Sequence, residues 1–155
     1  MNKKEVLQQL IAKVTQHLQA ALSAAQSTYD EATHEDNKAE NKYDTRSLEA
    51  SYLAGAQAER VKDLKDTLSY ISQLHLKNFT EDDPIALTAL ITLASESKKS
   101  WIFLLAKGGG QSFIFQNLII QVVTPESPMG KMLIGKNRDD DFVLNNKNYL
   151  VETIS

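Results

Sequence analysis

The residues best suited to chemistry lie in one short stretch, Tyr29–Asp44, called here the acidic segment. Its six carboxylates and two lysines give a net charge of −4 when its histidine is neutral. Mg²⁺ prefers carboxylate oxygens and keeps several of its waters. Asp36 and Glu40 are four residues apart, so both share one face if the segment is helical there. The alternative is a solvated charged loop. The eight charged residues are Asp30, Glu31, Glu35, Asp36, Lys38, Glu40, Lys42 and Asp44.

Composition limits the class of protein. A length of 155 residues suits one or two small domains, and 42% hydrophobic residues suffice for a core. No apolar run approaches the roughly 18 residues that a membrane-spanning helix needs, and Met1–Leu10 lacks the apolar region of a secretory signal. Without cysteine there is no disulfide framework and no thiolate metal site. We therefore expect a cytoplasmic protein without membrane association. Its net charge of −3 disfavours non-specific nucleic-acid binding.

Glycine and proline divide the chain into two halves. Pro84 is the first proline, and Gly55 is the only glycine before Gly108. A stretch so poor in helix-breaking residues is typical of helices. The composition becomes typical of a sheet near Asn78, so we predict a helical domain over residues 1–77 and a second domain over residues 78–155.

Apolar residues spaced three and four apart predict two long helices on either side of the acidic segment. Because the connection between them is short, an antiparallel coiled-coil hairpin is the simplest arrangement. A dimerisation coiled coil or a fragment of a helical bundle is the alternative. Leu64, Leu68, Ile71 and His75 fit a heptad seam. The two stripes comprise Leu7, Leu10, Val14, Leu18, Ala21, Leu22 and Ala25, and then Leu53, Val61, Leu64, Leu68, Ile71 and His75 or Leu76.

The second half predicts several strands and one short helix, which together make an α+β module. Ser127 suits the N-cap of the helix, Pro128 its first turn and Gly135 its end. Gly108–Gly110 predicts a hairpin turn, and Asn145–Asn148 predicts another turn. The predicted strands are Ile85–Leu93, Ser100–Ala106, Phe113–Thr124, Asp141–Leu144 and Tyr149–Ile154.

The C-terminal run TPESPMGKMLIGK (124–136) is followed by DDFVL (140–144) and YLVETI (149–154). This order resembles the end of bacterial GreA/GreB transcript cleavage factors. In that family a Ser-Pro, a small residue, a basic residue, an apolar pair and Gly-Lys precede two closing strands. The order of parts, a coiled coil and then an FKBP-like domain, is also similar. The acidic segment adds to the resemblance through His34, Asp36, Lys38 and Tyr43.

The resemblance implies an accessory factor that is not itself an enzyme. In that family the FKBP-like domain binds the rim of the secondary channel of bacterial RNA polymerase, and the coiled coil passes down the channel. Acidic residues at its end help to hold a catalytic Mg²⁺ and a water at the active site of the polymerase, which then cleaves backtracked RNA. The implied cofactor is thus Mg²⁺ in the polymerase complex, with none on the factor alone. The nascent RNA is an indirect partner, and no oligomeric state is implied.

The resemblance also assigns roles to individual residues. Asp36, Glu40 and Glu35 would assist catalysis, and Asp36 and Glu40 would share the Mg²⁺. The expected polymerase-binding residues are Ser127, Pro128, Met129 and Lys131, and those expected to contact the channel or the RNA are Lys38, Lys42 and Arg46.

The acidic segment departs from the family at the second acid. The usual pattern is Gly-Asp-x-x-Glu-Asn, but here Ala39 stands three residues after Asp36 and Glu40 follows it. Glu35 replaces the usual small residue. Three hypotheses remain open: a factor that stimulates RNA cleavage, a secondary-channel regulator that does not, and a coiled-coil interaction module outside transcription.

Overall fold

The computed structural model describes residues 1–33, 46–96 and 98–155. Two long helices come first, and a six-stranded sheet with one short helix follows, so the predicted α+β class is confirmed. None of the helices in these ranges is long and apolar enough to span a bilayer. The elements are α1 Lys3–Thr33, α2 Arg46–Ser72, β1 Leu90–Ser95, β2 Lys98–Leu104, β3 Ser112–Phe115, β4 Leu118–Val123, α3 Pro128–Leu133, β5 Asp141–Leu144 and β6 Lys147–Ile154.

The chain divides into two compact units. The helical unit is Ile11–Ser72, and the sheet unit combines Met1–Leu10 with Gln73–Ser155. The first ten residues, which include the start of α1, therefore group with the sheet. The predicted division into domains between residues 77 and 78 stays a prediction.

The helical unit buries one narrow stripe on each helix. On α1 the buried residues Val14, Ala21 and Thr28 recur every seven positions, as a heptad repeat requires. On α2 the buried positions are Val61, Leu64, Thr67 and Ile71. The stripe on α1 becomes smaller and more polar along the chain, from valine to alanine to threonine.

Three residues of the predicted apolar stripes lie outside the stripes that are buried in the structure. Leu22 is 43% exposed and Leu53 is 51% exposed, because each lies beside the buried stripe of its helix. His75 is exposed and lies beyond the end of α2 at Ser72. The backbone N–H of Lys77 donates to the hydroxyl of Thr88 at 3.0 Å, so the chain after α2 is held by the sheet unit instead of continuing the helix.

The sheet has the strand order β3-β4-β2-β1-β6-β5. Neighbouring strands are antiparallel except β2 and β4, which are parallel. A register shift between Thr92 and Leu93 interrupts the pairing of β1 with β6. Because β2 pairs with β4 and not with β3, the turn at Gly108–Gly110 is not the predicted hairpin. It begins a crossover in which β3 precedes β4 at the edge of the sheet.

The sheet buries side chains on both of its sides. One side carries a cluster to which α3 contributes Leu133, and Phe103, Ile120 and Val122 are buried on the other side. The rings of Phe142 and Tyr149 stack on neighbouring strands with their centroids 5.2 Å apart. Each fully buried Val, Leu or Ile side chain in the cluster stabilises the fold by roughly 1.5–3 kcal/mol relative to an exposed one. The buried members are Ile85, Ala89, Ile91, Leu93, Ile102, Leu104, Val123, Leu133, Phe142 and Val151.

The predicted strand Ile85–Leu93 is correct only from Leu90 onward. Thr88 has a φ of 71°, a left-handed conformation that a β-branched residue rarely adopts and that no strand allows. Upstream, Ile85 exchanges backbone hydrogen bonds with the chain after α3: its N–H donates to Lys136 at 2.8 Å, and its carbonyl accepts from Gly135 at 2.9 Å. These residues thus fasten α3 to the sheet instead of extending β1.

Asparagine turns explain two other differences from the predicted strands. Gln116 and Asn117 have φ of 49° and 63°, so the predicted strand Phe113–Thr124 folds back into β3 and β4. Asn145 and Asn146 have φ of 52° and 59°, and β6 therefore begins directly after them at Lys147. Positive φ at both central residues gives the tight turn that suits the twist of a hairpin.

Candidate functional site

The central part of the acidic segment lies outside the described residues. This concerns the predicted catalytic and metal-binding carboxylates and two of the predicted contact lysines, whose roles stay predictions. Arg46 is the first residue of α2, and only its backbone is described. The other residues concerned are Glu35, Asp36, Lys38, Glu40 and Lys42.

Exposed aromatic side chains lie near the end of α1 and near the start of α2. Tyr29 near the end of α1 is 60% exposed, and Tyr52 in the second turn of α2 is 73% exposed. Asp30 accepts a hydrogen bond from the side-chain amide of Gln26, one turn earlier, at 2.8 Å. The described ends of both helices thus carry exposed polar and aromatic side chains.

The predicted capped helix forms where the C-terminal motif placed it. The Ser127 hydroxyl accepts a hydrogen bond from the Gly130 N–H at 3.0 Å and donates to the Thr124 carbonyl at 2.8 Å. Pro128 occupies the first turn, where no N–H is needed. After the helix, Gly135 has a φ of 79°, which suits glycine at the end of a helix. The Ser127, Pro128 and Gly135 positions are therefore explained by local structure.

Gly130 is required by packing rather than by backbone conformation. A Cβ at this position would lie 1.9 Å from the Thr124 carbonyl oxygen, well inside contact distance. That oxygen also accepts from the Ser127 N–H and hydroxyl. The small residue of the motif therefore lets the first turn of α3 lie directly against the end of β4.

Only part of the predicted polymerase-binding set is available on the surface of α3. Pro128 and Lys131 are exposed, and so is Ile134 at the end of the helix, which is 47% exposed. Met129 is half-buried and packs against the core. Ser127 uses its hydroxyl to cap the helix. The exposed side of α3 is thus formed by Pro128, Lys131 and Ile134, and the last of these was not among the predicted binding residues.

A pair of exposed isoleucines lies on the same side of the sheet as α3. Ile114 and Ile119 face each other across β3 and β4, and each is 65% exposed. Ile119 shares a face with Val123, which belongs to the core below α3. Large apolar side chains exposed together often mark a contact surface. Sequence reasoning missed this pair, although its alternation with Phe113, Phe115 and Ile120 was a visible signal.

A second feature that sequence reasoning missed is a cluster around Lys3, called here the lysine cluster: Lys3, Lys77, Phe79 and Asp83. The Lys3 ammonium donates to the Lys77 carbonyl, and both lysine Nζ atoms lie 4.7 Å from the centroid of the Phe79 ring. Lys77 Nζ forms an ion pair with Asp83 at 2.8 Å. No sequence signal links Lys3 to Lys77, which is 74 residues away.

Two pKa values in the lysine cluster are lowered, each for a different reason. Burial, and secondly the positive charge of Lys77, lower the pKa of Lys3 from 10.5 to about 8. The hydrogen bonds from Lys77 and then from Thr80 hold the pKa of Asp83 well below its usual range. Asp83 is therefore ionised at every physiological pH, whereas Lys3 is partly neutral at mildly alkaline pH.

No group of three or more His, Cys, Asp or Glu side chains that could hold a metal ion occurs within residues 1–33, 46–96 and 98–155. The carboxylates proposed to hold Mg²⁺ are not among these residues.

Comparisons with known proteins found similar solved structures only. No protein-family model matches the sequence, and no curated protein matches it. One is the crystal structure of GreA factor homolog 1 (Gfh1) of Thermus thermophilus, whose sequence is 18% identical to that of this chain. The two structures match with a TM-score of 0.38 over 97% of this chain and 93% of the Gfh1 chain. Gfh1 of Thermus aquaticus is also 18% identical, with a TM-score of 0.36 and coverage of 97% and 92%. These are similarities alone, and the function is inferred below from the residues of this chain.

Proposed function

We propose that this protein is a Gre-like accessory factor of bacterial RNA polymerase that enters the secondary channel and stimulates cleavage of backtracked RNA. The main support is the C-terminal motif, which resembles the one in that family and whose small residue, Gly130, has a demanding structural role here. The order of parts, two long helices around an acidic segment and then a sheet with a capped helix, agrees with the same proposal. Such a factor acts in the cytoplasm, where the polymerase is.

In this proposal the polymerase makes its main contact with the exposed side of α3 and the isoleucine pair. Pro128, Lys131 and Ile134 offer an apolar surface with one positive charge, and Ile114 and Ile119 offer two more exposed apolar side chains on the same side of the sheet. An acidic rim with an apolar centre on the polymerase would complement it. Ser127 and Met129 contribute indirectly, by shaping and seating the helix.

The acidic segment supplies the chemistry in this proposal. Asp36 and Glu40 would hold a Mg²⁺ shared with the active site of the polymerase, where a second metal lowers the cost of forming the attacking hydroxide. Glu40 is followed by Asn41, so the Glu-Asn pair of the family pattern is present one position later than usual. Glu35 adds negative charge beside the ion, and Lys38, Lys42 and Arg46 would contact the channel or RNA phosphates.

The second candidate is a regulator that occupies the secondary channel without stimulating cleavage. Ala39 at the usual glutamate position favours it, because an alanine cannot ligate a metal. Both candidates require polymerase binding and differ only in the chemistry of the acidic segment. A coiled-coil module outside transcription, the third hypothesis, requires no polymerase binding.

Polymerase binding is the experiment that tests the shared part of the proposal. Fluorescently labelled protein is titrated with core RNA polymerase at low salt and near-physiological salt. Wild type is compared with Lys131→Glu and with Ile114→Ser/Ile119→Ser. The matched control is Lys147→Glu, which changes an exposed lysine after the β5–β6 turn. We expect at least a tenfold loss of affinity for the first two variants and little change for the control. Wild-type protein that does not bind polymerase would contradict both candidates and leave the third.

A further inference from the structure

A cavity of about 660 Å³ lies beside the lysine cluster, and no step of the proposed function uses it. All residues that line it belong to the sheet unit. Its volume is within the range of small-molecule sites, roughly 300–1,000 Å³. The lining includes Asn2, Lys3, Lys4, Leu76, Asn78 and Phe79.

Lys3 is held in one orientation at this cavity. Its Nζ donates to the Lys77 carbonyl and lies over the Phe79 ring. The backbone at Lys77 is in turn fixed, because its N–H donates to the buried hydroxyl of Thr88 at 3.0 Å. A neutral amine can keep such a donated hydrogen bond while its lone pair remains available to a reactant. The site is therefore ordered before any reactant arrives.

The charges around Lys3 favour an anionic reactant. Lys4 lines the same cavity, and Lys77 lies close enough to lower the pKa of Lys3. Of the nearby carboxylates, Asp83 is paired with Lys77 and also accepts from Thr80, whereas Glu5 accepts from the neutral Asn2 amide at 2.8 Å and keeps its charge. Met1 and Ser155 complete the lining of the cavity. Burial beside another cation is also a recognised way to activate a lysine as a nucleophile. With a pKa of about 8, about one quarter of Lys3 is neutral at pH 7.5.

We propose that Lys3 is an acylation site that reacts with small acyl phosphates drawn into this cavity. The lone pair of Nζ attacks the carbonyl carbon of the acyl phosphate, and a C–N bond forms. The bond between the carbonyl carbon and the bridging oxygen breaks, and inorganic phosphate leaves with that oxygen and the electron pair of the bond. The proton of the amine passes to water. Lys4, which lines the cavity, stabilises the departing phosphate. The product is an N-acyl lysine without charge, which removes one positive charge from the lysine cluster.

The test is site-resolved acetylation of the folded protein by acetyl phosphate, quantified by tandem mass spectrometry from initial rates between pH 6.5 and 10. The lower pKa gives Lys3 about a 300-fold larger neutral fraction near pH 7 than an ordinary lysine. Its lower basicity reduces its intrinsic nucleophilicity by about tenfold if amines follow a Brønsted slope like that of thiols. We therefore expect Lys3 to react on the order of tenfold faster than Lys4, with a rate that levels off above pH 8.

Two controls keep the proposal open to disproof. Lys77→Gln breaks an exposed ion pair, so the fold should be retained, but it removes the positive charge beside Lys3. The pKa of Lys3 should then rise, and its acetylation at pH 7.5 should slow severalfold while that of Lys4 is unaffected. Acetylation with the uncharged N-hydroxysuccinimide ester of acetic acid separates two effects, the attraction of the phosphate by the lysines and the nucleophilicity of Lys3. With this reagent the preference for Lys3 over Lys4 should persist but weaken. A Lys3 rate at or below that of Lys4, or a rate that still rises steeply through pH 10, would overturn the proposal. Neither result depends on whether the protein binds polymerase.

Discussion

The sheet unit and the helical unit bury their side chains in different ways. In the sheet unit the aliphatic residues of several strands and α3 form a continuous cluster on one side of the sheet, and Phe103, Ile120 and Val122 are buried on the other side. In the helical unit the buried residues form a narrow stripe, and on α1 they shrink from Val14 to Ala21 and Thr28. Because apolar burial scales with area, each turn near the acidic segment contributes less than a turn near the start of the unit. Stability is thus concentrated in the sheet unit.

The two glycines that lie within helices give the largest expected contrast between the units. Gly130→Ala would place a Cβ against the Thr124 carbonyl, so the first turn of α3 must move away from β4. We expect a loss of at least about 3 kcal/mol in the free energy of unfolding, at the upper end of overpacking effects. Gly55→Ala in α2 meets no atom within 4 Å and should stabilise the protein by about 0.5–1 kcal/mol.

Urea denaturation followed by circular dichroism measures both variants. Equal and small effects at the two positions would show that the packing of α3 on β4 is looser than the structure indicates. Destabilisation by Gly55→Ala would instead show that a neighbour approaches the middle of α2.

The cap of α3 gives a contrast of intermediate size between stability and binding. Ser127→Ala removes the acceptor for the Gly130 N–H and should cost about 1 kcal/mol. Ser127→Asp supplies another acceptor and should restore most of that loss. If Ser127 acts only as a cap, polymerase affinity will follow stability in both variants, as thermal unfolding and binding titration can determine. Loss of affinity in a fully stable Ser127→Asp would assign the hydroxyl a direct contact.

The last contrast concerns the pH dependence of stability. Because the folded protein lowers the pKa of Lys3 to about 8, the unfolded chain binds more protons than the folded one between about pH 8 and 10.5. The contribution of Lys3 to the free energy of unfolding should therefore increase as the pH rises through this range. Lys3→Met should remove that increase, whereas Lys4→Met should not. Identical pH profiles of Lys3→Met and wild type would contradict the lowered pKa.

Sequence patterns predicted the features that depend on neighbouring residues. The long helices, the Ser127 cap, the Gly135 stop and the strand Asp141–Leu144 all follow from spacing or from the chemistry of turns. These features need no knowledge of distant contacts.

The features that sequence patterns missed depend on distant contacts. The apolar composition of Ile85–Leu93 suggests a strand, but Thr88 takes a left-handed conformation and accepts from Lys77, eleven residues before it. His75 continues a helical period, yet α2 ends at Ser72 because the following chain is bound to the sheet unit. The lysine cluster likewise joins residues from both ends of the first half of the chain. To predict that Ile114 and Ile119 are exposed together, one must know the order of the strands in the sheet, and periodicity does not give that order.

The central claim assigns chemistry to the acidic segment and binding to the sheet unit. RNA cleavage in a backtracked polymerase complex with Mg²⁺, measured together with polymerase affinity, tests it most directly. Wild type is compared with Asp36→Ala/Glu40→Ala and with the exposed-surface control Lys147→Glu. We predict that the double variant loses at least about 100-fold in cleavage rate and keeps its affinity within about twofold, while the control is unchanged in both. Equal cleavage by the double variant and wild type would contradict the role of these carboxylates, and polymerase binding without any wild-type cleavage would establish the non-cleaving regulator instead.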